Sequence, residues 1–559
     1  LVWEPSVLEC DGAHAPDFYA GLLSFARYWN TTWASERPMA VRLPESGVDL
    51  ANFVKHSIVR EMITRRDTYF PRYGAPPQGY GGHCCDGFQD VFVSGLAAYL
   101  EWGLFDTAAG VFDNYFSFYV RDANAKIMYR GPELAQYGRT LTLAAQYYRL
   151  TGDGELLLKH YSKLTTFADM LLVRRRMATK LPETDVTYGL IRGVDESDEI
   201  LVGWTRNSSE LPHFSLSLEA WRGFRDLGAV WCELGAAAGR PEVVTTGQAL
   251  QAEAPRILAD VALAIDRNTV PPTHYGGAPC HPYVAATATC SDLGPQYNSR
   301  AAEPWRTYSG MLWSGGLNDS TVADIVRYNQ QSQMLARLGV WGGGEGFSNR
   351  LVSFTEQGHG YGLLQYDHID EFLLQLYAEV AHACSRGSWT CFETRGLPNW
   401  TPAGGYATPA QMVVPLHTKW MLVWEDPQDA SLTLCKATPR AWLAHGNTIG
   451  VENAPIRGGR ISFNITSNVG DGTAPFVTGT FTATSARVAG GKGTPITLRL
   501  RVPLGLELLS ASINGDPWSA IDVKQGEIHL PAVPPIPHAL DVVAKYRNTT
   551  GGIPREGRQ

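Results

Sequence analysis

The sequence predicts a mainly helical protein with a smaller β domain: an (α/α)6 barrel, or six-hairpin toroid, followed by a small antiparallel β-sandwich. Three observations carry this. Apolar residues recur at helical spacing from the N-terminal region to about residue 425, as in Leu141, Leu143, Ala144, Tyr147 and Tyr148. The links between these helical stretches alternate between very short and long. After about residue 427 the pattern changes to short alternating or apolar runs set off by glycine and proline.

Twelve helices are expected: Ala15–Trp33, Val48–Arg66, Phe88–Trp102, Phe105–Val120, Glu133–Leu150 and Glu155–Val173 in the first third of the chain. Phe214–Ala238, Val243–Ile265, Tyr297–Trp313, Thr321–Leu338, Tyr361–Ser385 and Pro409–Trp424 follow. The short links are Gly103-Leu104, Thr151-Gly152-Asp153-Gly154 and Gly239-Arg240-Pro241-Glu242; the long ones cover roughly 67–87, 121–132, 174–213, 266–296 and 339–360. This alternation describes helical hairpins elaborated at one end, and six of them close into a ring. Loop-rich ends of rigid scaffolds carry function, so the site is expected where the long links converge. Strands are expected at Ala441–Leu443, Ile461–Ile465, Gly479–Ala483, Ile496–Val502 and Ala539–Val543, with Asn514-Gly515 as a hairpin turn. The expected division is residues 1–426 for the barrel, 427–547 for the sandwich and 548–559 for a flexible tail.

The 559 residues carry a net charge of -8, with 44% hydrophobic and 18% charged residues. That balance supports a large core, excludes a disordered chain, and offers no basic stripe for nucleic acid. No apolar run reaches membrane-spanning length. The 16 Trp, 24 Tyr and 20 Phe suit sugar-stacking clefts and large cores equally.

Nine cysteines are present. Cys280 with Cys290, and Cys384 with Cys391, have the spacing of short disulfide loops, and no C-x-x-C pair suggests a zinc ribbon or redox motif. Six N-x-[ST] sequons stand at Asn30, Asn207, Asn318, Asn399, Asn464 and Asn548. Together they point to a secreted or extracellular, possibly lumenal, glycoprotein. Leu1 opens the chain without a signal peptide, as expected of a processed form or a fragment.

The run Gln146-Tyr147-Tyr148-Arg149-Leu150-Thr151-Gly152-Asp153-Gly154-Glu155 resembles a hairpin turn of the six-hairpin glycosidase superfamily. The segment Thr494-Pro495-Ile496-Thr497-Leu498-Arg499-Leu500-Arg501-Val502-Pro503, followed by Ile513-Asn514-Gly515, is similar to the C-terminal sandwiches of the same enzymes. The resemblance implies a glycoside hydrolase whose acid and base come from two well-separated long loops, acting on an oligo- or polysaccharide. Fold does not fix function, so the residues must carry the chemistry.

Glycoside hydrolysis needs one carboxyl group to protonate the leaving oxygen and another to activate water or attack carbon. One acidic segment holds Asp195, Glu196, Asp198 and Glu199, followed by Trp204 and Arg206. Mutual repulsion among close carboxylates favours a protonated acid. A second segment runs Trp341-Gly342-Gly343-Gly344-Glu345-Gly346-Phe347 and continues to Glu356, Gly358, His359, Gly360, Tyr361 and Gly362. Its glycines would let backbone approach a ligand, with Glu345 or Glu356 as base and Trp341, His359 and Tyr361 at the sugar. A third segment places His83, Asp86 and Gln89 at the opening of a helix, as hydroxyl binders or, for Asp86, a helix cap. His274, His281, Asp367, His368 and Asp370 match no compact ligand set, so neither a metal nor a cofactor is expected. Two alternatives stand beside the hydrolase: a polysaccharide lyase using His83, His359, Tyr361, Arg206 or Arg300 at a uronate, and a non-catalytic glycan-binding or structural protein that kept the barrel. Nothing in the sequence sets the oligomeric state.

Overall fold

The computed structural model describes residues 18–65, 68–74, 87–121, 127, 134–194, 211–271, 279–286, 304–331, 335–336, 340–341, 350–354, 356–396, 405–470, 474–485, 493–533 and 538–549. The helices are α1 (Phe18–Ser35), α2 (Val48–Thr64), α3 (Gln89–Trp102), α4 (Phe105–Asn114), α5 (Leu134–Thr151) and α6 (Tyr161–Ala178). They continue as α7 (Phe214–Ala237), α8 (Pro241–Asn268), α9 (Pro304–Ser314), α10 (Asp319–Gln331), α11 (Glu356–Gln365), α12 (Ile369–Ala378) and α13 (Thr408–Leu422).

From α3 onward the odd-numbered helices form the inner ring. Each packs on the next, and α13 packs back on α3 to close it. The outer helices follow their inner partners across links of a few residues, and α2 packs on α13. The first such link turns at Gly103, whose φ of 77° lies in the left-handed region where a side chain would be strained. Every long link leads into the N-terminus of an inner helix. The ring therefore has a plain end and an elaborated end, as the link lengths predict.

Sequence accounts for which helices go inside. Every residue of α3 and of α13 is buried, and a helix covered on all sides reads as apolar around its whole circumference. The aromatic residues serve this core: Trp102, Trp231, Tyr99, Tyr137, Tyr147 and Tyr308 are among its largest fully buried side chains. Where α5 crosses α7, Gly138 and Gly223 meet; a Cβ on Gly138 would lie 2.4 Å from the backbone carbon of Glu219, so only glycine permits this spacing.

Three expectations are corrected. The helix expected over Thr321–Leu338 ends at Gln331, and Leu335–Ala336 instead pairs as a strand with Val340–Trp341. The stretch Tyr361–Ser385 is not one helix but parts of the hairpin α11–α12, turning at Asp367 with φ 63°. Ala441–Leu443 is not a strand; it lies in a 3-10 turn spanning Arg440–Leu443.

The β domain comprises β1 (Ala40–Arg42), β2 (Val423–Glu425), β3 (Leu432–Leu434), β4 (Thr448–Ile456), β5 (Gly459–Asn468), β6 (Phe476–Ser485) and β7 (Thr494–Arg499). It continues with β8 (Leu506–Ile513), β9 (Asp516–Trp518), β10 (Ile521–Asp522), β11 (Glu527–Val533) and β12 (His538–Asn548). One sheet runs β1-β4-β5-β6-β12-β8-β9 and the other β10-β11-β7-β3-β2. All pairings are antiparallel except β7 with β3, so the second sheet is mixed. Asn514 and Gly515 both have positive φ, as their hairpin turn requires. The N-terminal part of the chain also contributes: Ala40 pairs with Glu452. The β4–β5 turn reaches the plain end of the ring, where the Gly458 amide donates to the Arg149 carbonyl at 3.1 Å.

Candidate functional site

Two cavities lie along the barrel axis, divided by Arg139 and Gln357, which line both. The upper one sits at the elaborated end. Its charged and amide lining comes from the first two turns of successive inner helices: Asp90 on α3, Gln136 and Arg139 on α5, Glu219 on α7, Arg306 on α9 and Gln357 on α11. Asp90 accepts from the Gln136 amide and from Arg306 Nη1, at 3.0 Å to Oδ1 and 3.2 Å to Oδ2. Arg306 lies over the Phe354 ring, 5.0 Å from its centroid. Glu219 Oε1 accepts from Arg139 Nη2 at 2.7 Å, and Arg139 in turn lies 4.7 Å from the Trp313 ring centroid. Both carboxylates are buried; a buried charge is tolerated where a guanidinium compensates it and strongly penalised where it is not.

The lower cavity lies toward the plain end and is closed by Arg457 of the β4–β5 turn. Lys419 Nζ meets Glu101 at 2.6 Å, and Arg457 Nε meets Glu425 at 3.1 Å. Burial raises the Glu425 pKa, with Arg457 and Lys419 opposing it. Arg222 donates to the Trp313 carbonyl and to the Tyr361 hydroxyl, the latter at 2.9 Å.

A third polar cluster is built into the wall. Glu356 opens α11 and is fully buried; Gln375 on α12 donates to it at 2.5 Å and His359 Nδ1 lies at 3.4 Å. Burial and the nearby Glu356 charge hold Glu379 well above the usual carboxylate range. Burial drives His359 and His417 down to about 3, so both stay neutral.

The sequence-derived candidates fall into three groups. His83, Asp86, Asp195, Glu196, Asp198, Trp204, Arg206 and Glu345 lie outside the described residues, as does the Trp341 side chain. The described residues that flank the first acidic segment are tied to the ring. Val194, immediately before the first acidic segment, accepts from the Leu134 amide at the start of α5, and Gly193 bridges to Leu211, just after it. Gln89 is buried in the first turn of α3 and borders neither cavity. The second motif splits: Tyr361 lines the lower cavity, while Glu356 and His359 line neither cavity and sit in the wall.

The glycines of that motif do permit close backbone approach, but to protein. A Cβ on Gly358 or Gly362 would collide with α9 at Ser309 or Leu312, and one on Gly360 with His417 of α13. The sequence reading missed Asp90, Gln136, Arg139, Glu219 and Arg306 as site residues. A signal existed: polar and charged side chains within two turns of the start of otherwise apolar helices, each following a long link.

Cys384 and Cys391 form a disulfide, as their spacing suggests. Cys280 is also disulfide-bonded, and Cys290 lies outside the described residues. Among the described residues, the His, Cys, Asp and Glu side chains close enough to share a metal are Glu379, Cys384 and Cys391; the disulfide occupies both sulfurs. The sequon residues Asn30, Asn318, Asn464 and Asn548 are exposed, whereas Asn207 and Asn399 are outside the described residues. No described helix is long and apolar enough to cross a membrane.

The layout is a ring of six inner helices with a C-terminal β domain, as the resemblance to six-hairpin glycosidases implied. Comparison with solved structures returns several proteins titled as glycosidases and rhamnosidases. A glycosidase in its wild-type form matches at 12% identity with a TM-score of 0.42, over 66% of this chain and 97% of that one. A GH78 family rhamnosidase of Bacillus sp. GL1 matches at 11% identity and TM-score 0.46, over 77% of this chain and 40% of its own. A rhamnosidase from Klebsiella oxytoca with rhamnose bound matches at 10% identity and TM-score 0.43, over 68% and 65%. Likeness at this level concerns the arrangement of helices alone. No family model matches the chain, and no curated protein matches it.

Proposed function

We propose that the protein is a secreted glycoside hydrolase acting at the elaborated end of its barrel. The observation that carries this reading is the pair of guanidinium-held carboxylates, Asp90 and Glu219, set in the upper cavity at the elaborated end. The upper cavity has a volume of about 20 Å³, so a sugar ring sits over Asp90 and Glu219 rather than within it. Carboxylates paired with Arg306 and Arg139 suit two tasks, accepting hydrogen bonds from sugar hydroxyls and activating water. In this reading the proton donor comes from Asp195, Glu196 or Asp198, or from Glu345. Glu356, turned to Gln375, supports the wall in this scheme. Exposed sequons and the Cys384–Cys391 disulfide support an oxidising, extracellular setting.

The lyase alternative needs a histidine or tyrosine base at the cleft, and none lines the upper cavity among the described residues. The test is a panel of aryl glycosides and plant and microbial polysaccharides. Reducing-sugar release without absorbance of an unsaturated uronate supports the proposal; unsaturated product, or no turnover of any glycoside, contradicts it. Glu196→Gln, Asp198→Asn and Glu345→Gln, made singly, then locate the donor. Full activity in these and in Asp195→Asn would remove the two-loop mechanism.

A further inference from the structure

The lower cavity has more positive charge than its carboxylates balance. Setting aside Arg139, which is paired with Glu219 above, its lining among the described residues holds four cations, Arg149, Arg222, Lys419 and Arg457, and three carboxylates. Glu101 is matched by Lys419 and Glu425 by Arg457. That leaves Asp226, which is divided among three guanidiniums: Arg225 at 2.8 Å, Arg149 at 3.6 Å and Arg222 at 3.7 Å. Arg222 is 6% exposed at its side chain and lies 4.0 Å from the Trp313 ring centroid; its Nε, 3.7 Å from Asp226, makes no hydrogen bond. Burial also pulls the Arg149 pKa below the usual arginine range, with Arg457 and Arg225 adding to that pull against Asp226. Uncompensated buried charge is expensive, and proteins remove it by pairing. Here the missing partner is negative.

Size narrows the choice. The cavity measures about 50 Å³, room for one or two water-sized particles at a share of ~30 Å³ each. A pocket for even a drug-sized ligand starts at roughly 300 Å³. Aromatic rings of Trp313, Tyr361 and Trp420 share the lining.

We propose that the barrel floor is a binding site for a small monovalent inorganic anion of the chloride type, held by Arg149 and Arg222 as the second counterion beside Asp226. The site lies below Arg139 and Gln357 and is separate from the proposed sugar site, so it stands or falls without the hydrolase reading. The bound anion fixes Arg222, and through it Tyr361 and Trp313, at the base of the barrel.

The test is thermal unfolding of the whole protein at constant ionic strength, with chloride replacing gluconate. A species that binds only the folded state stabilises it saturably, and the melting temperature should rise by about 1–3 °C. Two variants should move the chloride midpoint in opposite directions. Arg149→Gln removes a cation and raises the midpoint roughly tenfold or abolishes the effect, while Glu425→Gln removes a carboxylate and lowers it. Crystals soaked in bromide provide a variant-free readout, with an anomalous peak expected between Arg149 and Arg222. Equal shifts with every salt, or no bromide peak there, would overturn the proposal. So would a saturable shift with glucuronate and none with chloride, which would assign the charge to a sugar carboxylate.

Discussion

The upper cavity and the wall behind it use buried carboxylates in opposite ways, although Gln357 of one and Glu356 of the other are neighbours in sequence. Successive helical residues point about 100° apart. Gln357 therefore looks down the barrel axis, and Glu356 looks outward to Gln375 on α12. On the axis, Asp90 and Glu219 are matched by Arg306 and Arg139. In the wall, Glu356 and Glu379 are surrounded by an amide and neutral histidines. Repulsion and desolvation there favour one proton held on Glu379. The contrast teaches that a carboxylate in a suggestive motif reaches the axial cavity only when the helix turns it that way, and that there it is paired with a cation.

The largest expected effect separates the two clusters directly. Asp90→Asn keeps the shape but removes the charge held by Arg306, and should lower kcat/KM on a turned-over glycoside by about 10²–10³-fold. Steady-state kinetics and a far-ultraviolet dichroism check of folding would establish this.

Next comes the helix crossing that carries Glu219. Gly138→Ala forces α5 and α7 apart where a Cβ would meet backbone at 2.4 Å. Overpacking of this kind costs about 1–3 kcal/mol, measurable by urea denaturation, and it should disturb the Arg139–Glu219 pair as well.

The wall cluster predicts acid sensitivity. His359 and His417 have folded pKa values of about 3 against an ordinary 6.5. Below 6.5 the unfolded chain takes up protons that the folded chain refuses, so stability falls as the pH drops from 6.5 toward 3. The slope is up to about 1.4 kcal/mol per pH unit for each histidine. Denaturation midpoints at pH 7 and pH 5 should show the drop, and His359→Gln should flatten it.

The smallest effect has the opposite sign. Glu379 has a raised folded pKa, so its cost appears as the pH rises above the ordinary carboxylate value, where the unfolded group ionises first. Glu379→Gln should therefore stabilise the protein at pH 7 and leave it unchanged at pH 4, as read by melting temperature.

Much of the ring was legible because link lengths survive any error in helix boundaries: Gly103-Leu104 against residues 65–88 is a difference no boundary shift can hide. The α11–α12 hairpin was not legible. Tyr366-Asp367-His368 contains neither glycine nor proline, and Asp367 takes up the positive φ itself. The glycines that read as a loop are instead spread through α11, where close contact with α9 and α13 offsets their poor helix propensity. At the site, sequence favoured dense acidic segments over Asp90 and Glu219. A single carboxylate in an apolar helix gains meaning only once Arg306 and Arg139, distant in the chain, are seen beside it.

The central claim is that the reacting sugar lies over the axial carboxylates and not against the wall. Its most direct measurement is kcat/KM for Asp90→Asn and Glu356→Gln on the same glycoside, with folding verified for both. Loss of at least about 100-fold in Asp90→Asn beside near-parental turnover in Glu356→Gln is the predicted result. Near-parental turnover in Asp90→Asn beside abolished turnover in a folded Glu356→Gln would contradict it.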